Sequence, residues 1–437
     1  MLFKKEELDN YTAILKREMI PSMGCTEPIA IAYCAAVAAR VLAEEPEHLT
    51  IYCSGNIIKN VKGVVVPNSG SQKGIAVAAT LGAVGGDADR QLQVIANVTD
   101  EDRERTRELV RTGFCDYKYV EEVPNLYIRA DIRGRKHTAE AVIANQHTHL
   151  ESITRDGEVL LTAGEKVSRD VLKNVLINSD ITKMSLQGLL SYADQVDISE
   201  VQDLLDRAIE MNSRIAQEGL DSPWGACVGK TILESWGSDV RTLACAAAAA
   251  GSDARMSGCA MPVVINSGSG NQGITVTMPV LVYARELHIS ETKRYRALII
   301  SNLVSIYIKH YIGALSAFCG AVSASCGAGA AITYMSGGDY QHIARTITNT
   351  LANVGGIVCD GAKPSCAAKI ASSLHAAILA HYMSMNDKSF KAGEGIVEAD
   401  VEETIKNIGY IGKVGMKPTD HEILNVMTDA VNVDACL

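Results

Sequence analysis

Cys359 and Cys366 stand seven residues apart in GGIVCDGAKPSCAAK, residues 355–369. Gly355, Gly356, Gly361 and Pro364 surround them, so this stretch does not run as a straight helix. A bent loop can turn both sulfurs onto one object. Residues 365–374 then read as a helix, whose free N–H groups favour a thiolate or a sulfur-rich anion at its start. Two thiols do not complete a site, and the candidates for a third are Cys319 and Cys326 in ALSAFCGAVSASCGAGAA. Seven residues of helix return to the same face but climb about 10.5 Å. One of these two is therefore a ligand and the other a packing residue, and spacing leaves open which. Three thiols without a histidine or carboxylate at metal-ligand spacing suit an iron–sulfur cluster with one open iron. They suit structural zinc less well, since zinc takes four protein ligands. The plainer reading is a set of small thiols packed into an alanine-rich core.

A fourth cysteine, Cys25, follows the helix-breaking stretch 21–24. Thr26 reads as an N-cap and Pro28 as a first-turn residue of a helix over 29–43. A thiol at a helix N-terminus has a depressed pKa and is reactive, the alternative being an inert buried thiol. Two polar glycine loops, each before a helix, offer N–H groups to an anion. PNSGSQKGI at 67–75 echoes INSGSGNQGI at 265–274, with one residue more in the second copy. These loops nominate Asn68, Ser69, Asn266, Ser267, Ser269, Asn271 and Gln272 as substrate contacts, with Lys59 and Asn60 just upstream of the first. Arg255, between apolar runs, is a further substrate contact or half of an internal ion pair with Asp253. His147 and His149 share a face if their segment is a strand, and His147 is a candidate to face substrate.

GCTEP at 24–28, SDARMSG at 252–258, NSGSGNQGI at 266–274, LSAFCG at 315–320 and CDGAKPSCAAK at 359–369 occur in that order. Together they resemble the L-cysteine desulfidase family, relatives of the alpha chain of iron–sulfur L-serine dehydratases and also grouped as an uncharacterised serine-dehydratase-like family. The resemblance runs from about residue 21 almost to the end. It implies that Cys319, Cys359 and Cys366 hold a [4Fe–4S] cluster with one open iron, that no PLP is used, and that Cys25 is a catalytic base. The implied activity is non-redox β-elimination of L-cysteine to hydrogen sulfide, ammonia and pyruvate. L-serine dehydration is the neighbouring alternative, and an iron–sulfur sensor without turnover is the alternative outside enzymes. Cys436, near the C-terminus, is a candidate removable cap for the open iron.

The 437 residues carry 47% apolar and 21% charged side chains and a formal charge of −10. That balance excludes electrostatic attraction to nucleic acid or an anionic membrane. Twelve cysteines and a charged amphipathic start point to a reducing, cytoplasmic setting rather than a disulfide scaffold. Residues 311–338 carry no charge but are rich in Gly, Ala and Ser, which predicts a buried central helix, or two, rather than a membrane span. The expected fold is α+β. Residues 1–162 form a smaller, antiparallel α/β part, with helix 1–45 packing on the cluster domain, and residues 163–437 form a mostly helical cluster domain. Period-two alternation over 118–162, with an Asp156–Gly157 turn, predicts the sheet. The amphipathic stretch 197–218 is a candidate subunit contact for a homodimer.

Overall fold

The computed structural model describes residues 4–162 and 179–431. The expected boundary at 163–164, the helical start near 167 and Cys436 lie outside the described residues.

The first part alternates helix and strand: α1 (Lys5–Glu18), β1 (Pro21–Met23), α2 (Thr26–Leu42), β2 (Pro46–Cys53), α3 (Gly55–Val61), α4 (Ile75–Gly85) and α5 (Asp100–Arg111). Strands β3 (Cys115–Tyr119), β4 (Tyr127–Gly134), β5 (Thr138–Ala144), β6 (Leu150–Arg155) and β7 (Glu158–Thr162) follow. The sheet order is β3-β2-β4-β5-β6-β7. It is antiparallel as expected, except that β2 and β3 run parallel. The helices between them supply the crossover that a parallel pair needs. Asp156 and Gly157 both take positive φ in the β6–β7 turn, as the sequence predicts.

The second part is helical: α6 (Leu186–Gln195), α7 (Gln202–Asp221), α8 (Val228–Trp236), α9 (Val240–Met256), then the short strand β8 (Pro262–Val264), α10 (Gly270–Glu286), α11 (Glu291–Ile312), α12 (Gly320–Met335), α13 (Tyr340–Val354), α14 (Cys366–Met385), α15 (Val401–Tyr410) and α16 (Lys417–Met427). A π-helical turn (Ile411–Gly415) runs into α16. The charge-free run 311–338 resolves into the end of α11, a bend, and α12. Among the described residues no helix is long and apolar enough to cross a membrane. The fold is α+β.

Two features tie the parts together. Strand β1 pairs antiparallel with β8, linking the chain before Cys25 to the loop before α10. One apolar core also runs from Leu15 and Ile31 through Ile51 and Ile143 to Leu298, Val322 and Leu374. Helix α1 packs on α6 and α11, and α2 lies between α4 and strands β4 and β5.

The helical part is dense because its contacts are small. Ala244 to Ala250 in α9 are buried on every side, which a helix surrounded by other helices requires. Gly219 of α7 meets the backbone of Ala250 so closely that a Cβ would overlap the Ala250 carbonyl. Overpacking of this kind costs about 1–3 kcal/mol. Gly219→Ala is therefore expected to lower the unfolding free energy by that amount, seen in urea titration as a lower midpoint with an unchanged slope.

Candidate active site

Cys319 and Cys359 are brought together by backbone, not by a helix. Phe318 forms an isolated antiparallel bridge with Val358. Cys319 N donates to Ile357 O (3.0 Å) and Cys359 N donates to Ala317 O (2.6 Å). The chain then turns through Gly361, whose φ is +96°. A Cβ there would lie 2.5 Å from the Lys59 carbonyl, so only glycine lets this loop rest on α3. Cys366 opens α14 and Cys319 is the N-cap residue of α12, so two thiols stand at helix N-termini. All three sulfurs line one cavity, which Cys25 also lines.

Cys326 lies two turns into α12, fully buried and outside the cavity, so the helical rise does separate it from Cys319. Among the described residues no three His, Cys, Asp or Glu side chains converge tightly enough for a single metal ion. Three thiols around one cavity have the donor chemistry to hold a larger group such as an iron–sulfur cluster. They differ electrostatically, and burial raises Cys366. Cys319 donates to Cys359, which lowers the Cys359 thiol, with further help from Lys59, the Gly361 N–H and Lys309. Cys319 is correspondingly raised, first by that bond and then by burial.

The Cys25 end differs from the expectation. Cys25 itself is the N-cap residue of α2, and Thr26 is the first helical residue. Its thiol is not depressed. Burial, then the Glu27 carboxylate, push it well above its ordinary value. Cys25 Sγ donates to Glu27 Oε2 at 3.1 Å. The other oxygen, Oε1, lies 3.6 Å from His147 Nε2. Burial would raise Glu27, but His147 and the Cys25 thiol outweigh it and bring the carboxyl down to about 2. His147 sits in the turn between β5 and β6, not on a strand. Hence it turns inward while His149 points to Glu151 (3.5 Å).

Arg255 does not pair with Asp253. Its guanidinium donates to Asn271 Oδ1 (3.1 Å) and Thr26 Oγ1 (3.3 Å). It is 3% exposed, its Nε has no partner, and no carboxylate faces it among the described residues. Asp253 instead accepts from Gly229 N at 3.0 Å, and burial raises it to about 6. Ser267, Ser269, Asn271, Gln272 and Asn60 line the same cavity. Ser269 caps α10, and Gln272 accepts from Ser323 at 3.3 Å.

Four nominated contacts serve the framework. The Asn266 amide donates to Asn302 O and Oδ1, and its oxygen accepts from Ser267 and Ser305. It is spent on holding its loop. Asn68 donates to Ile95 O and Ala96 O and is held by Arg103, while Ser69 closes its own turn onto Gln72. The first glycine loop thus repeats the sequence of the second but not its backbone, with positive φ at Asn68 and Ser71 where the second has it at Ser267, and it does not line the cavity. Lys59 ion-pairs with Asp420 of α16 inside the protein and donates to Cys359 O at 3.3 Å. It braces the thiol loop and is not free for a carboxylate.

Sequence reasoning missed Glu27, Lys309 and Asp420. Glu27 was signalled by its place in GCTEP, two residues after Cys25. Lys309 was signalled as a cation following the long uncharged run 297–308 of its helix; Asp420 had no signal. Lys309 lines the cavity at 6% exposure, where burial lowers its pKa and the Cys359 and Cys319 thiols oppose that fall.

Thiols, a buried acid–base pair and buried cations around one cavity define a site of lyase type on an α+β scaffold. The model of the serine dehydratase alpha chain family matches residues 89–425, and the chain belongs to that family. A UPF0597 protein of Lachnoclostridium phytofermentans is 49% identical over 95% of this chain and 98% of its own. One of Finegoldia magna is 44% identical over 97% and 100%, and one of Treponema denticola 43% identical over 98% and 99%.

The Glu27–His147 contact has a pH signature. Glu27 falls from an ordinary 4.5 to about 2, so it stabilises the fold above pH 4.5 and loses that contribution as pH falls towards 2. The shift corresponds to about 3 kcal/mol. Between those pH values the wild type is expected to lose more unfolding free energy than Glu27→Gln, measured by denaturant titration at each pH.

Proposed function

We propose that this protein is an L-cysteine desulfidase. It eliminates sulfide from L-cysteine without net redox change, and the released 2-aminoacrylate hydrolyses to pyruvate and ammonia. The observation that carries the reading is the sharing of one cavity by Cys319, Cys359, Cys366, Cys25 and Arg255. A [4Fe–4S] cluster on the three thiols supplies Lewis-acid chemistry at an iron without a protein thiolate.

The remaining work falls to the chain. Arg255, lacking a carboxylate partner, takes the substrate carboxylate, and Asn271 and Thr26 fix its plane. Ser269 at the start of α10 orients the same end. The proton from Cα passes to Cys25 Sγ while the thiol proton passes to Glu27 Oε2. Cys25 therefore acts as a base without standing as a thiolate, which agrees with its raised pKa. His147 lies beside the second Glu27 oxygen and keeps the carboxyl ionised. Sulfur, softer than a hydroxyl and more readily deprotonated, favours L-cysteine over L-serine at such a centre.

Cys319→Ala, Cys359→Ala and Cys366→Ala are each expected to lose the brown absorbance and iron, whereas Cys326→Ala keeps both. Full iron in Cys359→Ala removes the cluster assignment. Cys25→Ala should keep iron and fold but lose about 10²-fold or more in turnover. On one anaerobic preparation, kcat/KM for L-cysteine should exceed that for L-serine. Equal or greater efficiency with L-serine makes the protein a dehydratase.

A further inference from the structure

A second, larger cavity of about 440 Å³ adjoins the thiol cavity. His147, Ser267, Gly268, Lys309 and Ala314 line both, so the two meet at these residues. At the junction Gly268 has φ +79°, and a Cβ there would stand 2.7 Å from the His147 ring. The neck is therefore as narrow as a glycine allows. Lys309 stands in it nine-tenths buried, and its Nζ makes no hydrogen bond or carboxylate ion pair among the described residues. The outer cavity adds Arg17, His149 and His310, and its one acid, Glu18, is paired with Arg17 at 2.9 Å.

We propose that the outer cavity is an antechamber selective for small carboxylates, and that Lys309 is its binding residue, handing the carboxylate on to Arg255. The proposal rests on the amino-acid lyase reading for the identity of the carboxylate that passes. A buried ammonium with no partner costs free energy unless an anion visits it. An unpaired cation in a low-dielectric passage also concentrates the opposite sign. Two cations in series, Lys309 at the neck and Arg255 beyond it, give a carboxylate a path without a desolvated gap. Neutral molecules of the same size gain nothing from it.

Cys25 lies beyond the neck and Cys227 lies outside both cavities, so two thiols of one protein report the passage. The cluster-loaded protein is treated anaerobically with iodoacetate or with iodoacetamide, its neutral amide, and peptides carrying each cysteine are quantified. Both reagents attack the same thiolate, so the rate ratio cancels the thiolate fraction and reports carboxylate preference alone. The iodoacetate-to-iodoacetamide ratio is expected to be on the order of 10-fold higher at Cys25 than at Cys227. Lys309→Met should bring the two ratios together, Lys309→Arg should retain the difference, and Gly268→Ala should slow both reagents at Cys25 alike. Lys309→Met should also raise KM for L-cysteine with kcat held. A wild-type ratio at Cys25 no higher than at Cys227 overturns the antechamber, as does loss of iron in Lys309→Met, which would make Lys309 a partner of the thiols. The ratio is independent of turnover. Selective alkylation without L-cysteine cleavage would leave the antechamber standing and remove the desulfidase reading, and the opposite result would do the reverse.

Discussion

Two backbone hydrogen bonds across the Phe318–Val358 bridge are the constraint on which the site depends. Cys319 and Cys359 belong to segments forty residues apart, and no single helix could bring their sulfurs to one place. The bridge does so and leaves the side chains on either side free. Beneath it, the buried Lys59–Asp420 pair holds the 359–361 loop against α3 and ties it to the last described helix. Removing one partner of a buried pair costs about 3–5 kcal/mol, because the other charge is left without compensation. The thiol loop is therefore held from above by backbone bonds and from below by a pair that cannot be given up cheaply.

Charge in the cavity is divided by position. The carboxylate Glu27 is matched by His147 and is occupied with Cys25. Lys59 is matched by Asp420. Arg255 and Lys309 are left without carboxylate ion pairs among the described residues. A site with surplus buried cations is built to receive anions, whether thiolates or a substrate carboxylate. Cys359 falls first through the hydrogen bond from Cys319 and then through Lys59 and Lys309, whereas burial and then Glu27 raise Cys25.

Much of this was legible in the sequence because it is local. The glycine-loosened loop, the helix after Pro364, the separation of Cys319 from Cys326 by helical rise and the β6–β7 turn follow from short-range geometry. The failures are tertiary. Asn68–Ser69 and Asn266–Ser267 share a sequence pattern, but the first turn packs under Arg103 and the second opens α10 at the cavity. A pattern that specifies a turn does not specify what the turn faces. Lys59 looked available because Asp420, its partner, is 361 residues away. Cys25 looked activated because a helix N-terminus favours a thiolate, yet Glu27 on the same turn and full burial act the other way.

That reversal bears on how a thiol can serve as a base. A free thiolate at Cys25 would face the Glu27 carboxylate across 3.1 Å in a buried site, two negative charges without water between them. Coulomb repulsion at that distance disfavours the doubly ionised state even at a moderate effective dielectric. The pair is stable with one proton between sulfur and carboxylate, as a shared-proton dyad is. Arrival of a proton at sulfur from a third atom then displaces the shared proton to Glu27, and at no point do two charges stand side by side. His147 beside the far oxygen lowers the cost of carrying the charge on Glu27 while the site waits. Burial, which argues against a reactive thiolate, is thus compatible with a thiol that relays protons, and the geometry of Cys25, Glu27 and His147 suits that role better than the one a helix N-terminus alone would suggest.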